Sequence, residues 1–207
     1  MKTVTIIGII VFLFITNRSD KYFEGRITYK QTYTSEKINT DSLANVSPNG
    51  NVYEINHRYY RGLTYAKDSA EFILDGQIGR SLYKTRNQLI FTCYDHTQAN
   101  SKIGAVTQND SIEIINGFRC KSFEITSNGR KSIYYYSLDY KMHPTIYSKY
   151  AEWNWKDEME LANGGITIKS IHQNDMYNLI IEIESIEEIP FKDNYFYVEN
   201  EKKEDGC

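Results

Sequence analysis

Cysteine, proline and tryptophan are scarce in this chain of 207 residues, at 3, 3 and 2 positions. No C-x-x-C brings two thiols together, which removes a thioredoxin-type redox site. The four histidines, His57, His96, His143 and His172, keep no metal-ligand spacing with one another or with a cysteine, and H-E-x-x-H is absent. They read as surface or loop histidines. Asp95-His96 is the one tight acid–histidine pair, and neighbours on a strand point to opposite faces. G-x-S-x-G, S-x-x-K with its supporting elements, the P-loop and G-x-G-x-x-G are all missing. Glu182 and Glu184 alternate as a solvent stripe, so no carboxylate pair is singled out. No position is therefore assigned a catalytic role, and none is assigned to a metal or a cofactor.

Excess positive charge is also missing. The 24 Lys and Arg face 27 Asp and Glu, and a pI near 5.9 gives no electrostatic reason to expect nucleic acid. Long apolar runs are limited to Val4–Ile15, twelve residues behind the basic Met1-Lys2 and ahead of the polar Thr16–Asp20. A membrane-spanning helix needs about 20 apolar residues, so the run reads as a secretory signal peptide over residues 1–19. An uncleaved N-terminal anchor is the competing reading. Ser19 and Thr16 are the best candidates for the last signal residue. The mature chain is expected to carry no membrane span.

Tyrosine and isoleucine are abundant, at 18 and 26 residues, and both favour a half-buried pleated surface. AT-rich codons would raise both counts as well. The order of residues favours sheet. Phe23, Gly25, Ile27, Tyr29, Gln31 and Tyr33 alternate with polar residues, a period of two. Strand-like runs follow at Val52–Tyr60, Leu63–Ala66, Ala70–Leu74, Arg80–Thr85 and Gln88–Tyr94. A second series covers Ser111–Ile115, Arg119–Thr126, Lys131–Leu138, Ile166–Gln173 and Tyr177–Glu187. Asn116-Gly117 and Asn128-Gly129 favour positive φ and suit tight hairpins. Residues 35–51 read as a loop or lid with a helical turn near Asp41–Ala44, and 96–110 read as irregular. One short helix is allowed, around Lys149–Leu161, ended by Gly164-Gly165.

The predicted fold is mainly β: a single curved antiparallel sheet forming an incomplete barrel, with at most one or two short helices. A parallel sheet lacks the crossover helices it requires. The expected organisation is a signal peptide (1–19), one β domain (20–198) and a charged, frayed tail (199–207). Cys93 ends one predicted strand and Cys120 begins another. A disulfide between them and two unrelated buried thiols are both open readings, and Cys207 reads as a spare thiol. Tyr22, Phe23, Tyr29, Tyr33, Tyr53, Tyr59, Tyr60, Tyr65 and Tyr134–Tyr136 lie on predicted strands, where they pack a core or line an apolar pocket.

Phe23-Glu24-Gly25-Arg26-Ile27-Thr28-Tyr29, Ile115–Lys121, the tyrosine-rich Ile133–Ser137, Gly165–Lys169 and Pro190–Phe196 recur in an order that resembles the LolA/LolB lipoprotein-carrier superfamily. That group of secreted Gram-negative proteins includes the GLPGLI family. The resemblance spans about Tyr22 to Val198. It implies an incomplete antiparallel barrel around a hydrophobic cavity, lidded by a helix or loops, that holds acyl chains. Two features depart from it: no long N-terminal helix precedes the first strand, and Ala162-Asn163-Gly164-Gly165-Ile166 stands where G-L-P-G-L-I would be expected.

The expected function is a noncatalytic protein of the periplasm or cell envelope of a Gram-negative bacterium, or a secreted one, that binds a lipid, acyl chain or other apolar ligand. The alternative is an envelope protein–protein interaction or scaffold module without a cavity, and a hydrolase on a β scaffold is the remaining class. Export predicts a mature N-terminus at Asp20 when cleavage follows Ser19. N-terminal sequencing of the envelope fraction checks this, and an intact Met1 on soluble cytoplasmic protein would refute it.

Overall fold

The structure, a computed structural model, describes residues 21–41, 43, 50–65, 69–98, 102–127 and 130–205. The signal peptide assigned to 1–19, Ser42 and Ala44 of the expected Asp41–Ala44 turn, the Asn128-Gly129 turn and Cys207 lie outside the described residues, while Asp41 and Leu43 are helical as expected.

Among the described residues, eleven strands form one antiparallel sheet: β1 (Gly25–Thr34), β2 (Gly50–Ile55), β3 (Tyr59–Tyr65), β4 (Ala70–Asp75), β5 (Arg80–Thr85), β6 (Thr92–Asp95), β7 (Ala105–Ile115), β8 (Phe118–Ser127), β9 (Arg130–Lys141), β10 (Gly165–Gln173) and β11 (Asn178–Glu188). Their order is β6-β5-β4-β3-β2-β1-β11-β10-β9-β8-β7, so the sheet is open and mainly β as predicted. Two meanders, β1–β6 and β7–β11, are joined by the long-range pairing of β1 with β11. The alternation expected for β1 is realised: Gly25, Ile27 and Tyr29 are buried, with half-buried Arg26 and Thr28 between them. Asn116 and Gly117 adopt φ of 51° and 85° between β7 and β8, as that hairpin requires.

Several boundaries differ from expectation: the run expected over Gln88–Tyr94 shortens to Thr92–Asp95, and the one expected at Leu63–Ala66 begins at Tyr59. Val52–Tyr60 was expected as one strand, but Asn56 breaks it. Its side-chain oxygen accepts hydrogen bonds from the Arg58 and Tyr59 amides at 2.9 and 2.7 Å, a side-chain-directed turn that hydrophobic periodicity does not reveal. β7 begins at Ala105, inside the segment read as irregular. It is an edge strand, mostly exposed, and its polar residues hide the period. The tail is not frayed over 199–205: the Phe91 amide donates to the Lys202 carbonyl (2.8 Å) and the Glu204 amide to the Phe91 carbonyl (3.1 Å).

Cys93 and Cys120 are not joined. Cys93 lies on β6 and Cys120 on β8, towards opposite edges of the sheet order. Cys120 is a free thiol in the core, with its pKa pushed up to about 11 by burial, whereas Cys93 is disulfide-bonded.

Each face of the sheet is covered by chain of its own. Between β9 and β10, residues 142–164 form a strap containing α1 (Pro144–Tyr147), a 3-10 turn (Glu152–Asn154) and α2 (Trp155–Leu161). This replaces the single helix expected over 149–161, because Trp153 and Asn154 take positive φ and interrupt it. Ile146, Tyr147, Tyr150 and Met159 of the strap pack on Ile27, Ile55, Leu74, Ile166, Ile168 and Ile183. On the opposite face, Phe196 and Val198 pack on Ile73 and Phe91. Tyr195 there donates to Glu54 at 2.9 Å. Glu54 is 2% exposed and also accepts from Arg26 at 2.7 Å and Arg61 at 3.3 Å, which offsets the cost of burying its charge.

The strap backbone meets the β4–β5 turn at Gly76, where a Cβ would collide with Thr145 and Ile146. Gly76→Ala is expected to destabilise by ~1–3 kcal/mol through overpacking. Thermal unfolding, with a Tm lowered by several degrees, checks this; an unchanged Tm would show that the strap gives way.

Candidate functional site

Strand register arranges the strap-side face of β2–β5 in rows. Ile55, Tyr60, Leu74 and Ser81 are successive partners, and Tyr53, Gly62, Phe72 and Tyr83 form the next row. The strap packs on the first row and leaves space above the second. Gly62 in that row, and Ala70 beside Thr64 in the row after it, contribute almost no side-chain volume there. A Cβ on Gly62 would press the Tyr53 ring at 3.1 Å, so the glycine is what lets that ring lie down.

A cavity of about 510 Å³ results. Tyr53, Phe72 and Tyr83 form its floor, and Tyr150, Trp153 and Trp155 come from the strap. Tyr134 of β9 completes the wall. β5 and β9 are the outer members of eight consecutive strands, which in a flat sheet would lie more than about 30 Å apart. Both reach one cavity because the sheet curls. A second hollow of about 190 Å³ runs deeper, towards Ile27, Ile166 and Ile181. Tyr53, Tyr60, Tyr134, Trp155 and Glu158 line both. The aromatic walls brace one another: Tyr53 stacks on Tyr60 at 5.0 Å, and Tyr150 meets Trp155 edge-on at 5.0 Å.

Among the described residues, the single carboxylic acid in these walls is Glu158, in the first turn of α2. Burial raises its pKa from 4.5 to about 7, opposed by the hydrogen bond it accepts from the Tyr134 hydroxyl at 3.0 Å. The same burial raises the pKa of Tyr29, Tyr53, Tyr60 and Tyr134, which stay neutral.

Beside the cavity, His96 bridges Ser81 and Glu152. Ser81 Oγ lies 2.6 Å from Nε2, and Nδ1 meets the Glu152 carboxylate. His96 is 3% exposed rather than a surface residue. Tyr150 stacks on its ring at 4.4 Å, and the Ala151 amide donates to its carbonyl at 2.9 Å. None of the three residues lines the aromatic cavity. The arrangement fastens the strap to β5. The other histidines are spread out: His143 caps α1, His172 lies between Ser132 and Ser170, and His57 is exposed.

Of the tyrosines named from sequence, Tyr53, Tyr60 and Tyr134 line both hollows and Tyr29 the deeper one. Phe23 and Tyr136 pack in the core, Tyr59 stacks on Phe196 across the outer face, and Tyr65 is exposed. Sequence reasoning missed Phe72, Tyr83, Tyr150, Trp153, Trp155 and Glu158. The pair of tryptophans in a segment without strand pattern was the available signal. Among the described residues, no group of three His, Cys, Asp or Glu is placed to hold a metal ion, and no helix is long and apolar enough to cross a membrane.

No family model and no curated protein matches the chain. Two crystal forms of PNGF-II superpose on 89% and 88% of it, with TM-scores of 0.53 and 0.52 and identities of 14% and 13%. The chain spans 31% of PNGF-II, and the similarity concerns the fold alone. A DUF1329 family protein from Desulfovibrio piger aligns over 86% of this chain and 91% of its own, at 10% identity and a TM-score of 0.28. Neither description names a LolA- or LolB-like carrier.

The Glu158 carboxyl gives stability a pH dependence. Its folded pKa lies above the unfolded one, so between about pH 4.5 and about 7 the folded state keeps a proton that the unfolded chain releases. Its contribution is present below that window and lost as pH rises through 7, by up to about 3 kcal/mol. Glu158→Gln is expected to be more stable than the wild type at pH 8 and similar at pH 5. Urea titrations at both values check this, and an equal difference at the two would refute it.

Proposed function

We propose that this chain is a noncatalytic cell-envelope protein that binds an apolar or amphiphilic ligand in the aromatic cavity beneath the strap. The observation that carries the reading is the cavity itself. Its ~510 Å³ falls within the ~300–1,000 Å³ of ordinary ligand sites, and two thirds of the described residues in its walls are aromatic, with one buried acid among them. Hollow apolar volume of this kind loses packing energy, so it is retained where a ligand restores the contacts. The motif resemblance to LolA/LolB-like carriers and the signal-like residues 1–19 support export and an apolar cargo.

The Ser81–His96–Glu152 arrangement resembles a hydrolytic triad, but Ser81 and His96 are 2% and 3% exposed beneath Tyr150 and stand outside the cavity. A serine without access to a carbonyl has no substrate to attack. A second reading, protein–protein contact, draws on the exposed edge strand β7, where Ile112 and Ile114 are 54% and 66% exposed.

Both tryptophans of the chain, Trp153 and Trp155, line the cavity, so tryptophan emission reports on this site alone. Titration with 11-bromoundecanol, a neutral quencher, is expected to give saturable quenching at one equivalent. Ala70→Phe, which fills the cavity, is expected to abolish it. Unquenched emission, or quenching unaffected by Ala70→Phe, would refute ligand binding there.

A further inference from the structure

The polar chemistry of the cavity is one-sided. Tyr53, Tyr60, Tyr150, Trp153 and Trp155 present π surfaces, and ring faces are electrostatically negative. Glu158 adds a carboxyl at the junction of the two hollows. Its Oε1 is held by Tyr134, and among the described residues Oε2 has no hydrogen-bond partner. Among the described residues, no lysine, arginine or histidine lines either hollow. An anionic head group would meet no cation here and would be repelled by Glu158. A neutral one would leave the carboxylate without compensation. Aromatic walls with a carboxylate at one end suit an organic cation.

We infer that the cavity selects amphiphiles with an amine or quaternary ammonium head, the head seated between the tryptophan and tyrosine rings and Glu158 and the apolar part lying along Phe72 and Ala70. This rests on the ligand-binding reading above and specifies its ligand class. It also fixes a pH response, because a permanent cation binds the ionised carboxylate. Groups facing Glu158 do not mask that response. Tyr134 on β9 stays neutral, and His172 on β10, in edge contact with Tyr134 at 5.5 Å, has its pKa lowered by burial. Asp157, on the same helix, raises the pKa of Glu158 further. With that pKa near 7, affinity for the cation falls as pH drops below 7 and levels off above it.

The test compares decyltrimethylammonium, decanol and decanoate below their micelle concentrations, read by tryptophan emission and calorimetry at pH 6 and pH 8. At pH 8 the cation is expected to bind at least about tenfold more tightly than decanol, with decanoate weakest. Between pH 8 and pH 6 it is expected to lose roughly tenfold in affinity while decanol is unchanged. Glu158→Gln is expected to erase both the preference and the pH effect and to keep decanol binding. Equal or tighter binding of decanol or decanoate, or a cation preference that survives in Glu158→Gln, overturns the head-group assignment and leaves ligand binding standing. Failure of all three to bind overturns both. The wild-type pH series stands alone should Glu158→Gln fail to fold.

Discussion

The close approach of the strap to the β4–β5 turn at Gly76 is the contact on which the rest of the structure depends. An open antiparallel sheet of eleven strands has two faces, and an uncovered apolar face costs about 25 cal/mol for each Å² left in water. The strap covers one of them with only two short helices, so it must sit close to the sheet. Gly76 permits that at one end, and His96 holds the following turn through Ser81 and Glu152. Gly164 and Asn163, both at positive φ, turn the chain back into β10 at the other end. With both ends fixed, the strap cannot slide over the row Tyr53, Gly62, Phe72 and Tyr83, and the hollow above that row persists.

The two faces handle charge differently. On the outer face, Glu54 is buried with two arginines and a tyrosine hydroxyl around it, so its charge is matched where it lies. On the strap side, Glu158 has a single neutral donor among the described residues, Tyr134, and burial raises its pKa. A buried acid that the fold stabilises this incompletely carries a free-energy cost. The same deficit is what the proposed cationic head group would answer.

Much of the sheet was legible in the sequence because a half-buried strand writes its burial directly as alternation. β1, β5, β10 and β11 were each read within a residue or two for that reason, and Asn116-Gly117 announced its hairpin by the φ values it needs. The failures share a different cause. Asn56 makes its turn through a side-chain oxygen, β7 is an exposed edge with no buried face to pattern it, and the strap owes its shape to the sheet beneath it. The cavity was half legible. Tyr53, Tyr60 and Tyr134 stood on predicted strands, but whether a tyrosine faces a core, a pocket or water depends on register and curl. Trp155 and Glu158 belong to a helix whose docking no local pattern encodes.

The Ser81–His96–Glu152 group shows why geometry without access does not establish chemistry. Hydrogen-bond spacings of this kind arise wherever a buried histidine must satisfy both ring nitrogens, and a serine on one side with a carboxylate on the other is an economical way to do so. In a hydrolase the serine oxygen must also face a carbonyl and donors for the developing oxyanion. Here the space beside His96 is taken by Tyr150, whose ring stacks on the imidazole and whose other side meets Trp155. Opening a path to Ser81 would mean lifting Tyr150, and with it the strap that forms one wall of the cavity. The residues that resemble a catalytic centre are thus the ones that keep the cavity in shape.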